Sequence, residues 1–194
     1  NGTVSATEAL SRSFWGDRPG YEHLASWRPL TVWSLRADHL LGDGSPWVFH
    51  LTNLWLHLCL VLVVFVLGRR WGFSHLAAGA AALVVAIHPM MSEAVASVVG
   101  RGDLLAAVFG LCALGVGLRR PRVALGLFAI ALFAKESAVV YLGAGCLLAL
   151  LAGQRAVLLR WVGLGVAWYV LRSMAVGQGG GEVLALDNQV VALE

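Results

Sequence analysis

The stretch HLTNLWLHLCLVLVVFVLG, residues 50–68, decides the fold class of this chain. Its length matches the roughly 20 apolar residues that an α-helix needs to cross a bilayer. Arg69 and Arg70 close it, as basic residues do at the cytoplasmic end of a membrane helix. Over the whole chain, 59% of the 194 residues are hydrophobic and 13% are charged, whereas about a quarter of a soluble domain is charged. The sequence therefore predicts an all-α integral membrane protein.

Further apolar segments extend this run into a predicted bundle of about six spanning helices. Residues 75–87 and 104–118 form short runs, and the first is rich in Ala and Gly, which let helices pack closely in lipid. Residues 123–152 are interrupted at Lys135 and are interpreted as a hairpin of two short helices. Residues 157–171 form the last predicted span.

The hairpin interpretation rests on the distribution of basic residues. With a hairpin, every basic cluster falls on one side of the membrane, which is the cytoplasmic side by the positive-inside rule; these are Arg69, Arg70, Arg119, Arg120, Arg122, Arg155 and Arg160. One long helix would divide them between the two sides. We therefore predict a bundle over residues 50–172, with a loop (1–49) and a tail (173–194) on the extracytoplasmic side, in a bacterial inner membrane.

The extracytoplasmic loop contains one predicted helix, from Pro29 to Leu41, because proline suits the first helical turn. Leu30, Trp33, Ala37 and Leu40 share one face of it. With Trp15, Trp27 and Trp47 nearby, this pattern favours a helix lying among lipid headgroups. An ordinary loop helix packed on the bundle is the alternative.

The stretch HPMMSEAVASVVGRGDLLA, residues 88–106, places ionisable residues at a membrane boundary, where they usually mark a site. Pro89 is expected to end the preceding helix. A short re-entrant or interfacial helix is predicted to follow, and Asp103 is a candidate N-cap of the next span. Arg101 and Lys135 could bind a phosphate, and Glu93, Asp103 or Glu136 could act as a base. The simpler interpretation is that Asp103 caps its helix and Arg101 pairs with Asp103 or Glu93.

A second polar group lies on the first span, where His50, Asn53 and His57 line one stripe at i, i+3 and i+7. Polar side chains of membrane helices face the protein interior. They are predicted either to hold helices together by hydrogen bonds or to line a polar cavity below the external loop.

Several classes of function find no support in the sequence. Cys59, Cys112 and Cys146 lie inside apolar runs without metal-ligand spacing, so no metal site is predicted, and dependence on a divalent ion stays open. No phosphate-binding loop, GxSxG or HExxH motif is present. The net charge of +3 comes from residues at the ends of apolar runs and indicates membrane orientation, not nucleic-acid binding.

Five ordered motifs resemble one known family. WRPLTVWSLRADHLLG, HLTNLWLH, AIHPMMSEAVASVVGRGDLLAA, LFAKESAVV and LDNQVVAL are similar to patterns in the membrane half of the transmembrane and tetratricopeptide-repeat O-mannosyltransferases and their bacterial relatives. These belong to the GT-C glycosyltransferases. The resemblance implies a GT-C-like bundle, a polyprenyl-phosphate-linked sugar as donor substrate, no further cofactor, and transfer to a protein hydroxyl on the extracytoplasmic side.

The resemblance also implies roles for single residues. Arg101 and Lys135 would hold the lipid phosphate, Glu93 and Asp103 belong to an acidic external loop, and Arg28 and Arg36 lie on the helix that frames the cavity. The chain departs from the family pattern at Gly102, Met91-Ser92 and Gln189. The family's acidic pair and first helix have no counterpart, and Asp17 and Glu22 do not match that pair; together with the start at Asn1, this indicates a fragment or a processed product.

Three functions follow as hypotheses. The first is part of a lipid-linked sugar transferase whose partners are membrane lipids and the polyprenyl-phosphate carrier. The second is a non-catalytic membrane subunit of GT-C ancestry that scaffolds a complex with other membrane proteins. The third is a transporter with His50, His57 and Glu93 as a proton relay, against which the lack of an inverted internal repeat counts.

Overall fold

The computed structural model describes Phe14 and residues 26–176, and within them every regular element is helical. The α-helices, in chain order, are α1 (Pro29–Leu41), α2 (Pro46–Arg70), α3 (His75–Ile87), α4 (Pro89–Ala96), α5 (Arg101–Val116), α6 (Pro121–Ala134), α7 (Val139–Leu151) and α8 (Arg155–Val176). A 3-10 turn, Glu136–Ala138, joins α6 to α7. The predicted all-α class is confirmed. The predictions for Trp15, Asp17, Glu22, Gln189 and the tail from Gly177 lie outside the described residues.

The helices differ in whether they are long enough to cross a membrane. In the described part of the chain, α2 and α8 are long and apolar enough to cross a bilayer, and α3 with α4, bent by 55° at their junction, would make a third span. A helix stands at each of the six predicted positions, but α5, α6 and α7 have 16, 14 and 13 residues, fewer than the roughly 20 of a full span. The prediction of six crossings is therefore not confirmed.

Helix boundaries follow local sequence signals. Proline occupies the first turn of α1, α2, α4 and α6, where its missing N–H costs nothing. Pro89 ends α3 as predicted, and the Nδ1 of His88 accepts a hydrogen bond from the amide of Met90, 3.2 Å away. The prediction of Asp103 as an N-cap is wrong, because α5 begins one turn earlier, with Gly100 as its N-cap, and Asp103 lies in the first turn.

The helices enclose two contiguous apolar clusters. In the larger one, Phe128 of α6 meets Trp161 of α8 edge to face, with ring centroids 5.2 Å apart, and Gly145 of α7 gives these rings room. In the smaller one, Leu60 of α2 is buried with Leu104 and Val108 of α5. The predicted hairpin is confirmed as two separate helices, α6 and α7, on either side of Lys135 and the 3-10 turn.

Helix α1 has the predicted bounds but packs on an unexpected face. Its buried residues are Pro29, Thr31 and Asp38, whereas Trp33 is 39% and Leu40 is 70% exposed. The helix therefore docks on the bundle through Pro29, Thr31 and Asp38, and of its predicted apolar face only Leu30 packs against the core. Contact between that face and lipid headgroups stays a prediction.

Candidate functional site

A cavity of about 430 Å³ lies where α4, the start of α5 and the end of α6 meet. Its polar lining includes Glu93, Ser97, Asp103 and Lys135, and its apolar wall includes Met90 and Met91. Three of the predicted site residues, Glu93, Asp103 and Lys135, therefore share one cavity. The other seven, Arg28, Arg36, His50, Asn53, His57, Arg101 and Glu136, are not among its lining residues.

The charged centre of the cavity is an ion pair. The ammonium group of Lys135 lies 2.6 Å from both carboxylate oxygens of Asp103. The side chain of Lys135 is 23% exposed and that of Asp103 is 48% exposed, so both remain accessible from the cavity. The helix positions explain the pair, because Lys135 is the C-cap of α6 and Asp103 projects from the first turn of α5.

Arg101, which the sequence predicted as a phosphate ligand, is buried away from the cavity lining. Its side chain is 0% exposed, and its guanidinium donates to the Oδ1 of Asn53 at 2.8 Å, the carbonyl of Phe49 at 2.9 Å and the carbonyl of Ser34 at 3.1 Å. One terminal nitrogen also lies 2.5 Å from the Oδ2 of Asp38. The structure therefore does not bring Arg101 and Lys135 to a common phosphate, and Arg101 pairs with neither Asp103 nor Glu93.

Asp38 is a residue that the sequence interpretation missed. Its Oδ1 accepts a hydrogen bond from the Thr52 hydroxyl at 3.0 Å, and its Oδ2 faces Arg101. The sequence does contain a pattern that could have identified Asp38. Thr31, Ser34 and Asp38 have the same i, i+3, i+7 spacing as the polar stripe of α2. This stripe connects α1 to α2, α5 and α6.

Asn53 and His57 contact backbone carbonyl groups at the C-terminal ends of α4 and α3, the two helices of the bent pair. The amide nitrogen of Asn53 donates to the carbonyls of Val95 at 3.2 Å and Ser97 at 2.9 Å, where α4 ends. The Nε2 of His57 lies 3.3 Å from the carbonyl of Ala86, where α3 ends. Helix ends leave carbonyls without intrahelical partners, so the predicted interhelical hydrogen bonding describes both residues. His50, one turn earlier, is exposed.

A second ion pair joins the residues just before α1 to the 3-10 turn. The Nε of Arg28 donates to Glu136 at 3.0 Å, and the amide of Trp27 donates to the same carboxylate. Trp27 is 3% exposed and stacks edge to face on Phe133, with centroids 5.2 Å apart. Arg28 and Glu136 thus hold α1 against the cavity's edge.

Glycines allow the close packing behind the cavity. A Cβ atom on Gly100 would overlap the backbone of Ala94, and one on Gly102 would lie 3.3 Å from the carbonyl oxygen of Ala134 and from the Thr31 hydroxyl. The departure from the family pattern at Gly102 therefore coincides with the contact between α1, α5 and α6.

The cavity holds charged groups of both signs. Among the described residues, no group of three or more His, Cys, Asp or Glu side chains is arranged to hold a metal ion. The cavity instead combines one ammonium group, two carboxylates and the N-terminal end of α5, which carries a partial positive charge.

Comparison with known proteins identifies similar sequences. Protein O-mannosyl-transferase Tmtc2 of Drosophila melanogaster is 44% identical over 103 residues, which are 52% of this chain and 11% of that protein. Protein O-mannosyl-transferase TMTC4 of Homo sapiens is 41% identical over 114 residues, which are 50% of this chain and 15% of that protein. Protein O-mannosyl-transferase F38B6.6 of Caenorhabditis elegans is 28% identical over 203 residues, which are 100% of this chain and 29% of that protein.

The chain thus spans between 11% and 29% of the length of these relatives. No family model and no solved structure matches it. The family resemblance inferred from the five motifs is nevertheless confirmed, because the relatives carry the expected name: this membrane chain is similar in sequence to the TMTC protein O-mannosyl-transferases.

Proposed function

We propose that this chain is part of a GT-C-type glycosyltransferase that moves a sugar from a polyprenyl-phosphate carrier to a protein hydroxyl. The observation that carries the proposal is the cavity in which Lys135 lies beside Asp103 and Glu93. The relatives named O-mannosyl-transferases favour mannose as the sugar. The cavity would open on the extracytoplasmic side, where the carrier presents its sugar.

Lys135 is the proposed ligand of the carrier phosphate. It is the cation of the cavity's lining, and the N-terminal end of α5 lies beside it. An ammonium group and a helix N terminus together attract a phosphate. Asp103 holds Lys135 in place through both carboxylate oxygens, and we assign it a positioning role.

Glu93 is the proposed base. It lines the cavity and is exposed, and among the described residues it has no ion-pair partner. In the proposed step, the Glu93 carboxylate takes the proton of the acceptor hydroxyl, whose oxygen forms a bond to the anomeric carbon. The bond between that carbon and the phosphate oxygen breaks, and polyprenyl phosphate leaves with both bonding electrons. A single displacement of this kind inverts the anomeric configuration.

The test is transfer by the full-length protein, reconstituted in vesicles with polyprenyl-phosphate-mannose and a serine- and threonine-containing peptide. Lys135→Ala is expected to reduce turnover by about 10²–10³-fold, as loss of one stabilising donor does. Glu93→Gln is expected to reduce it by about 10²–10⁴-fold, as loss of a general base does. Arg122→Ala, which removes an exposed cation elsewhere, is the matched control. Wild-type turnover in Lys135→Ala and Glu93→Gln would overturn the proposal.

The same preparation separates the transferase from the scaffold hypothesis. A scaffolding subunit is expected to co-purify in fixed stoichiometry with other membrane proteins and without polyprenyl lipid. The transferase is expected to retain the carrier, and Lys135→Ala to release it.

A further inference from the structure

A second concave surface lies at the opposite end of the bundle from the candidate site. It is a groove of about 260 Å³ between the second half of α2 and the second half of α5. These helices run parallel, since Arg101 at the start of α5 meets Asn53 near the start of α2, and Arg70 at the end of α2 donates to the carbonyl of Gly115 at 3.3 Å. The groove thus occupies the end that carries the Arg clusters.

The groove has an apolar floor and a cationic end. Leu62 and Val66 line it and are 61% and 42% exposed, and Leu62 lies two turns before Arg70, about 12 Å by helical rise. On the α5 side, Gly115 keeps the groove open, because a Cβ atom there would already lie 3.2 Å from the Leu67 side chain.

No carboxylate in the described part of the chain compensates the positive charge at this end. Residues 44–92 and 104–135 contain no Asp or Glu, and among the described residues no carboxylate pairs with Arg70. Arg69 precedes Arg70, and Arg119 and Arg120 follow α5 within four residues of Val116. Basic pockets between membrane helices at the cytoplasmic end attract anionic headgroups.

We propose that this groove binds one anionic phospholipid, with its phosphate against Arg70 and an acyl chain along Leu62, Val66 and Cys112. Shape and charge both support this occupant. The groove is apolar over a length that fits part of an acyl chain, and it ends in a guanidinium group with no carboxylate partner among the described residues. The site is separate from the cavity at Lys135 and independent of the proposed transferase activity.

The test is lipid binding to the delipidated full-length protein, measured by native mass spectrometry. Phosphatidylglycerol is expected to bind more tightly than phosphatidylcholine. Arg70→Gln is expected to weaken phosphatidylglycerol binding about fivefold, the effect of one basic residue near an anionic headgroup. Gly115→Leu, which fills the groove, is expected to abolish the tight binding. The controls are Arg155→Gln, which removes the same charge from the start of α8, and Gly126→Leu, which fills open space.

A measurement on the unmodified protein guards against misfolded variants. A phosphatidylglycerol with a photoreactive acyl chain is expected to attach within residues 62–67 or 111–116. Equal binding of the two lipids, wild-type binding by both Arg70→Gln and Gly115→Leu, or attachment spread over the whole apolar surface would each overturn the proposal.

Discussion

At the scale of single residues, Arg101 and Lys135 differ in burial, although the sequence predicted that both would bind one phosphate. Lys135 is partly exposed in a cavity, while Arg101 is fully enclosed by protein acceptors. A buried guanidinium needs its charge balanced and its N–H groups paired, and Asp38, Asn53, Ser34 and Phe49 meet that need. Arg101 therefore joins α5 to α1 and α2 through buried polar contacts.

Replacing Arg101 is consequently expected to lower the free energy of unfolding, and any effect on sugar transfer is expected to follow from that loss of stability. Arg101→Gln leaves the Asp38 carboxylate buried without its cation, and removing one partner of a buried pair costs about 3–5 kcal/mol. Thermal unfolding of the detergent-purified protein measures this, with the exposed Arg122→Gln as control. The double variant Arg101→Met/Asp38→Leu should recover much of the loss. Normal unfolding of Arg101→Gln together with lost donor binding would instead identify Arg101 as the phosphate ligand.

At the scale of elements, the bent pair α3–α4 forms one wall of the cavity. The 55° bend at Pro89 turns α4 so that Met90, Glu93 and Ser97 line the cavity. Helix ends leave carbonyls without intrahelical partners. His57 of α2 lies beside the carbonyl of Ala86 at the bend, and Asn53 donates to the carbonyls of Val95 and Ser97 at the other end of α4. The polar stripe of α2 thus stabilises the shape of the wall and does not itself line it.

Asn53→Leu is therefore expected to loosen α4 and the contact of Arg101 with α1, and to leave α6, α7 and α8 intact. It removes the donors to Val95 and Ser97 and the acceptor of Arg101, and each buried polar group left unpaired costs about 1–3 kcal/mol. Hydrogen–deuterium exchange should become faster in residues 89–97. Leu54→Ala, at a half-exposed neighbouring position, is the control. Unchanged exchange in Asn53→Leu would show that α4 keeps its shape without this contact.

At the scale of the whole molecule, charge is distributed between two ends. The described acidic residues, Asp38, Asp43, Glu93, Asp103 and Glu136, lie in α1, the following turn, α4, the start of α5 and the 3-10 turn. The arginine clusters lie at the other ends of α2, α5 and α7. By the positive-inside rule, we expect the candidate site and the proposed lipid groove to face opposite sides of the membrane.

Labelling of single cysteines from each side measures this arrangement. In a background of Cys59→Ser, Cys112→Ser and Cys146→Ser, the variants Ser137→Cys and Gln154→Cys flank α7. An impermeant maleimide is expected to reach Ser137→Cys from the extracytoplasmic side and Gln154→Cys from the cytoplasmic side. Ser92→Cys should behave like Ser137→Cys. Labelling of both flanking positions from one side would show that α7 does not cross.

The amino-acid sequence by itself determined the helical membrane class, the break in residues 123–152, the bend at Pro89 and the family resemblance. These depend on local features: the length of apolar runs, the missing N–H of proline, and ordered motifs. Even the bounds of α1 followed from them.

Only the tertiary structure decided what each polar residue does. Arg101 and Lys135 are both cations, and the sequence does not show which carboxylate each one meets. Asp38, which lies 63 positions before Arg101, is the residue that pairs with Arg101. Likewise, the sequence predicted which residues of α1 share a face, but not which helices α1 contacts. In the structure, Thr31 and Asp38 are buried against the bundle. The physical reason is that the burial and pairing of a side chain depend on contacts between segments distant in sequence. Periodicity and composition, in contrast, are properties of a single segment.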